Sequence, residues 1–258
     1  MKIVLIILVT FFAGMGAGLG TGFAGMSAAA VISPMLITFL HMDPYMAVGI
    51  ALSSDVLASA VSAYTYHKNE NLDIRNGLIM MGSVLVFTVT GSYAASLVPA
   101  ATMGGFSVFM TFLLGIKFIV RPVMTTKESM KETSARKRTI QSLVCGMLIG
   151  SICGFVGAGG GMMMLLILTS VLGYELKTAI GTSVFIMTFT ALTGALSHFV
   201  IGGMPDIPVC ALCVFFTLIW ARIAALFANK AQPKTLNRAV GVVLTALGAV
   251  IMGFQLLR

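Results

Sequence analysis

GTGFAG, residues 20–25, sets glycines at 20, 22 and 25. That spacing is the G-x-G-x-x-G of a dinucleotide-binding turn. An apolar run precedes it, and Asp43 follows at about the distance of a ribose-binding acid. The fingerprint has meaning only inside a βαβ unit of a soluble sheet, and the surrounding chain excludes that setting. Of its 258 residues, 58% are hydrophobic and 9% charged, with a mean hydropathy of +1.03. Soluble domains carry roughly a quarter charged residues, so this chain cannot cover a water-facing surface. Apolar runs near bilayer-spanning length recur from end to end. They are continuous, not alternating as in a transmembrane barrel. The fold class is an all-α polytopic membrane protein in a lipid bilayer. Asp43 falls in HMDPY, a short turn between apolar segments. The glycines therefore do other work.

The net charge of +8 does not imply nucleic acid. Membrane proteins gather Lys and Arg on the cytoplasmic side, and the basic residues here sit at segment ends. Lys2 and the apolar run after it are read as an uncleaved first span, because the second half contains its counterpart. Cys210 and Cys213 form a C-x-x-C, but no second pair or histidine cluster completes a metal site. The cysteines and the nineteen methionines read as packing residues. No metal or cofactor is expected.

Shifted by 132 residues, the chain resembles itself. GFAG at 22–25 falls on GFVG at 154–157, and AVG at 47–49 on AIG at 179–181. Leu36 meets Leu168, Leu40 meets Leu172 and Asp43 meets Glu175. Weak internal symmetry of this kind marks transporters. The organisation expected is a transmembrane repeat at 1–120, a basic linker at 121–139 and a second repeat at 140–258. Apolar segments fall at about 3–21, 27–40, 45–66, 76–97, 101–120, 140–156, 161–172, 177–201, 207–228 and 238–257. The second and seventh are short: fourteen residues cover about 21 Å, less than the ~30 Å hydrocarbon core. Each follows a glycine-rich stretch.

Two topologies compete. If each glycine stretch merely kinks one long span, the sixteen Lys and Arg divide 11 against 5 between the faces. If the chain reverses there, they divide 14 against 2, with only Lys2 and Arg258 on the minor face. The sharper split favours two inverted repeats. Each has a broken or re-entrant helix pair plus three further helices, about eight spans counting each pair as one. The linker is then cytoplasmic and both termini outside.

Residues 14–25 read GMGAGLGTGFAG and residues 154–161 read GFVGAGGG. Irregular backbone at membrane depth survives only where it is buried in protein or lines a cavity. Gly14 and Gly18 fit close helix packing. Three consecutive glycines, 159–161, cost a helix a few kcal/mol in sum, so the stretches are expected to break helices. The next segment then opens with unpaired N–H groups and a helix dipole that attract anions. Two such starts, near Ser27 and Met162, would face each other across a pseudo-twofold axis. The candidate substrate-binding residues are Gly22, Gly25, Ser27, Gly157, Gly159, Gly160 and Gly161. Hydroxyls of the following spans join them: Ser53, Ser54, Thr182 and Ser183. These four also have a structural alternative, bonding back to their own backbone. Asp55 sits well inside an apolar span, where an ionised carboxylate costs at least ~2.5 kcal/mol. It is the candidate coupling residue, with a satisfied structural acid as the alternative. Its aligned position, Met187, carries no charge.

GFAGMSAAAVISPML in the first half, GFVGAGGGMMM and AIGTSVF in the second, and the polar linker between duplicated halves resemble the TauE/SafE family. This is also called the sulfite exporter or toluene-sulfonate-uptake permease family. The resemblance implies a multi-pass protein of a bacterial or archaeal inner membrane that moves sulfite, a sulfonate or another small anion. The first half departs from the pattern: Gly49-Ile50-Ala51 replaces a Gly-Thr-Ser-like triplet, and Met26 and Ser27 stand where further glycines are common. The expected function is secondary transport of a small organosulfur anion by a monomer or homodimer. Other readings are a transporter or channel for another small anion, or an assembly factor without substrate. An intramembrane enzyme would need paired acids, a dyad or a metal cluster at depth, and Asp55 stands alone. No Walker lysine is present.

Overall fold

The computed structural model describes residues 2–96, 112–113, 115–124, 135–156 and 160–256. Helices run over α1 (Lys2–Ala24), α2 (Ala29–Leu40), α3 (Pro44–Lys68), α4 (Ile74–Ser96), α5 (Ala135–Val156), α6 (Gly160–Ser170), α7 (Leu176–Gly202), α8 (Ile207–Lys230) and α9 (Pro233–Leu256). Among the described residues there is no strand. Ile3–Ala24, Pro44–Lys68, Leu176–Val200 and Ile207–Lys230 are long and apolar enough to cross a membrane. At 1.5 Å per residue each exceeds the ~30 Å hydrocarbon thickness. α5 and α9 begin earlier than the apolar pattern does. Ala135 and the basic residues after it are good helix formers, and Pro233 suits a first helical turn. Hydropathy marks entry into lipid, not the start of the helix.

The distribution of side chains is that of a membrane bundle. Bulky apolar residues such as Phe12, Phe215, Phe227 and Val200 are exposed, while Ala13, Ala17, Ala51, Ala221, Ala224 and Ala228 are fully buried. Lipid is as apolar as leucine, so small residues that admit close backbone approach hold such helices together. α3 and α8 also open on side-chain caps: Asp43 accepts from the N–H groups of Tyr45 and Met46, and Asp206 from that of Val209. Each precedes a proline in the first turn, where no N–H is missed.

The starts of α5 to α8 fall within one residue of 132 past those of α1 to α4. Packing crosses between the halves. α1 lies along α8, α5 along α4, and α3 along α7. α1 and α8 run parallel: Gly14 abuts Phe216, Gly18 abuts Thr217 and Ala221, and Gly22 abuts Ala221 and Ala224. α4 and α5 are parallel too, with Gly146 on Met80 and Ser83 and Gly150 on Val84 and Phe87. α3 and α7 are antiparallel: Gly49 meets His198 and Phe199, Gly194 meets Leu52, and Gly181 meets Tyr66. Helices that correspond under the 132-residue shift thus cross in opposite directions at the centre.

Candidate functional site

The first glycine stretch breaks later than its composition suggests. Gly14 to Gly22 remain helical in α1. Three of them, one turn apart, let α1 sit on α8, so close packing holds the helix intact. The break comes at Gly25, whose φ is +60°. The Gly25 N–H donates to Thr21 O (2.9 Å) and the Met26 N–H to Gly20 O (3.1 Å). This paired closure ends helices on a left-handed residue, which glycine adopts without steric cost. The Thr21 hydroxyl ties the turn by donating to Met26 O at 2.8 Å.

The chain then reverses. Gly20 lies against Met26 and Gly16 against Val31, so α2 returns along α1. At twelve residues α2 is about 18 Å long. Its first turn is met by an acid from α3. Asp55, 1% exposed, accepts from the Ser27 hydroxyl at 2.7 Å and the Ser59 hydroxyl at 3.0 Å. The Ala28 N–H also bonds to this carboxyl. The Ser27 oxygen in turn takes the Ala29 N–H at 3.3 Å.

Gly157 and Gly159 lie outside the described residues. Gly160 opens α6. Gly161 faces the first break: a Cβ there would collide with Gly25 O and stand 2.5 Å from Met187 Sδ and 3.2 Å from Ser27 N. Gly25 likewise is pressed against the Ser183 hydroxyl. The start of α6 therefore meets the first break, and α3 and α7 supply side chains there.

The other candidates divide. Ser53 donates to Gly49 O (2.9 Å) and Ser54 to Ile50 O (3.0 Å), each one turn back. Ser183 donates to Ile180 O (2.8 Å) while lying against Gly25. Thr182 is engaged away from the breaks: its oxygen accepts the Asp73 N–H at 3.2 Å. There the α3–α4 turn is bound to the second half. Tyr174 donates to Asp73 (2.8 Å) and Asn71 to Asn229 (2.6 Å), while within the second half Lys177 donates to the Asn229 carbonyl (2.8 Å). A cleft of about 580 Å³ lined by His67, Glu70, Asp73, Arg75, Asn76 and Thr139 opens beside that turn. Gly22 belongs to the α1–α8 seam, and its carbonyl accepts the Tyr66 hydroxyl at 2.9 Å.

Two participants escape inspection of motifs alone, Ser59 and Tyr66. Both have a signal in the sequence. Asp55, Ser59, Ser62 and Tyr66 recur at four, three and four residues, one face of a helix. All four are buried.

A family model described as sulfite exporter TauE/SafE matches residues 10–251. "Probable membrane transporter protein YdhB" of Bacillus subtilis is 23% identical over 97% of this chain and 100% of its own length. "Probable membrane transporter protein YunE" of the same organism is 23% identical over 91% of this chain and 90% of its own length. "Probable membrane transporter protein MJ0441" of Methanocaldococcus jannaschii is 23% identical over 96% and 94% respectively. No solved structure matches the chain.

Proposed function

The chain belongs to the sulfite exporter TauE/SafE family, and from that premise we propose that it is a secondary transporter of a small organosulfur anion, sulfite or a sulfonate. Its family and its relatives make membrane transport its role. One observation carries the finer reading. The start of α6 touches the break of the first half, Gly161 against Gly25 and Ser27. At such a junction the dipole of a helix start favours an anion; at α2 the Ala28 and Ala29 N–H groups are already bonded to Asp55 and Ser27, which leaves the start of α6 as the proposed place. The antiparallel crossing of α3 with α7, and the return of α2 along α1, support inverted repeats, and the positive charge of the linker supports its cytoplasmic placement. The test is anion binding by the purified protein. Sulfite, sulfate, thiosulfate, a simple sulfonate, a carboxylate and chloride are compared, with a Gly159/Gly160 double substitution by leucine as control. Saturable binding of one sulfur anion, lost in the control, is expected. Binding of none of them removes the substrate assignment.

With no ATP-binding motif in the chain, an ion gradient supplies the energy, and Asp55 is the candidate for the coupling proton. Asp55→Asn keeps the shape and one acceptor oxygen but cannot exchange a proton. Transport by this variant in proteoliposomes should no longer respond to a pH gradient. An unchanged response overturns the coupling role.

A further inference from the structure

Asp55, Ser59, Ser62 and Tyr66 form one buried polar face of α3, and Ser62 is its unexplained member. Hydroxyls of transmembrane helices commonly bond back to the carbonyl one turn earlier, and on α3 Ser53, Ser54 and Thr65 do so. Ser59 donates instead to Asp55 Oδ1 at 3.0 Å, and Tyr66 to Gly22 O at 2.9 Å. The Ser62 hydroxyl, fully buried, has no partner in the protein. A buried hydroxyl without a hydrogen bond is costly. The Ala58 carbonyl, one turn back, is the partner it would take if it had no better one.

Ser62 stands between Ser59 and Tyr66 along the helix. Cβ atoms three or four residues apart are about 5–6 Å from one another, a gap that one water bridges with two hydrogen bonds of about 2.8 Å. A water among these hydroxyls would have about three partners, as buried water usually does. The face leads from Asp55 to the Lys68 end of α3, where His67 and Glu70 line the cleft beside the α3–α4 turn. The helices packed on α3 are α1, α2, α7 and α8. Beyond Lys2, α1 has no ionisable residue, and α2 has none. On α7, Lys177 is bonded to the Asn229 carbonyl and His198 is stacked on Tyr45. On α8, Arg222 and Lys230 are exposed, and the Cys210 and Cys213 thiols lie further in. The groups that act on the Asp55 carboxyl are the Ser27 and Ser59 hydroxyls and the Ala28 N–H. Among the described residues it therefore has hydroxyls around it and no counter-charge.

We propose that Ser59, Ser62 and Tyr66 hold a buried water and with it form the proton path between Asp55 and the cleft side of α3, with Ser62 positioning the water. The assignment rests on the reading of Asp55 as the coupling acid, and it deepens that reading by giving the proton its route. On uptake, Ser59 passes its hydroxyl proton to the Asp55 carboxylate, in the direction its hydrogen bond already has. Ser59 takes a proton from the water, and the water takes one in turn from the aqueous side at His67 and Glu70. One proton enters, and the hydroxyl and the water end neutral, as they began. Release runs the same steps backwards.

Infrared difference spectroscopy of the purified protein after a downward pH jump follows the carbonyl band of protonated Asp55, assigned by its loss in Asp55→Asn. In Ser62→Ala the band should grow about tenfold more slowly, as the loss of one hydrogen bond on the route implies, and still reach the wild-type amplitude. Ser33→Ala is the control. Its hydroxyl is also buried and unpartnered, but it lies on α2, so its removal should leave the rate unchanged. An unchanged rate in Ser62→Ala, or equal slowing in both variants, overturns the path. Melting reads the water itself. If Ser62 holds one, Ser62→Ala removes a hydrogen bond and should lower the melting midpoint. If the hydroxyl is alone, the substitution relieves an unsatisfied group, and a midpoint unchanged or raised overturns the proposal. The spectra also separate the path from the coupling role. An Asp55 band that forms equally fast in Ser62→Ala and wild type keeps the coupling acid and removes the path. No pH-dependent Asp55 band removes the coupling acid, and the path with it.

Discussion

Gly161→Ala should abolish or sharply reduce anion transport while the protein still inserts and folds. The new methyl group would point at the Gly25 carbonyl and at Met187 Sδ, 2.5 Å away. Neither neighbour yields without cost. The carbonyl is backbone, held by the closure of α1 at Gly25 and Met26. Met187 is itself buried. Overpacking of this kind costs typically 1–3 kcal/mol, which corresponds to about ten- to a hundredfold in binding when it falls on the occupied site. The rest of the bundle is untouched, because α1–α8, α3–α7 and α4–α5 contacts are made elsewhere. Gly82→Ala is the matched control: nothing lies within 4 Å of a Cβ there. Transport by proteoliposomes, beside melting in detergent, reads both effects. Wild-type transport by Gly161→Ala would mean that α6 does not approach the first break this closely in the working protein.

The architecture around this contact was legible in the chain, and some of its chemistry was not. Composition places the protein in the membrane. The 132-residue shift anticipates the correspondence of α1–α4 with α5–α8, because a repeated helix plan leaves aligned helix ends in both halves. Which glycines break a helix is not readable from their density. Gly14, Gly18 and Gly22 lie four residues apart, so they form one face and pack against α8. Gly25 alone takes a positive φ in that stretch. Only the partner helix distinguishes the two uses, and the partner is about two hundred residues away.

The Asp55 pairing illustrates the same limit. Its burden as an acid in an apolar span is visible in the sequence, but its partners are not. Ser27 is 28 residues earlier, and the two meet only because the chain reverses at Gly25. Had the chain run straight through, Ser27 would lie a helix length from Asp55. Thr182 likewise has a partner that the motif does not show. Its position in AIGTS is that of a break-lining hydroxyl, yet the α3–α4 turn approaches Gly181 so closely that Thr182 accepts the Asp73 N–H.

Gly18→Leu should have the other large effect, and on the fold itself. A Cβ at Gly18 would stand 2.6 Å from Thr217 O, 2.7 Å from Ala221 N and 2.7 Å from Trp220 Cβ. Two of these are backbone atoms of α8, so no rotamer change relieves the contact. α1 and α8 would have to separate along the seam that also holds Gly14 and Gly22. In lipid no hydrophobic force draws the helices back together, because their association rests on close packing. The penalty should therefore exceed the ~1–3 kcal/mol of ordinary overpacking. Because α1 carries the Gly25 turn, its displacement also withdraws the first break from Ser183 and Gly161. The expected result is poor yield, a broadened size-exclusion profile in detergent and a lowered melting midpoint, with transport lost as a consequence. Gly161→Ala, by contrast, should keep the profile and lose the transport. A monodisperse Gly18→Leu protein with wild-type melting would show that α1 does not depend on α8 for its place. The position of the first break would then have to be fixed by α2 and α3 instead, through the Asp55 bonds to Ser27 and Ala28.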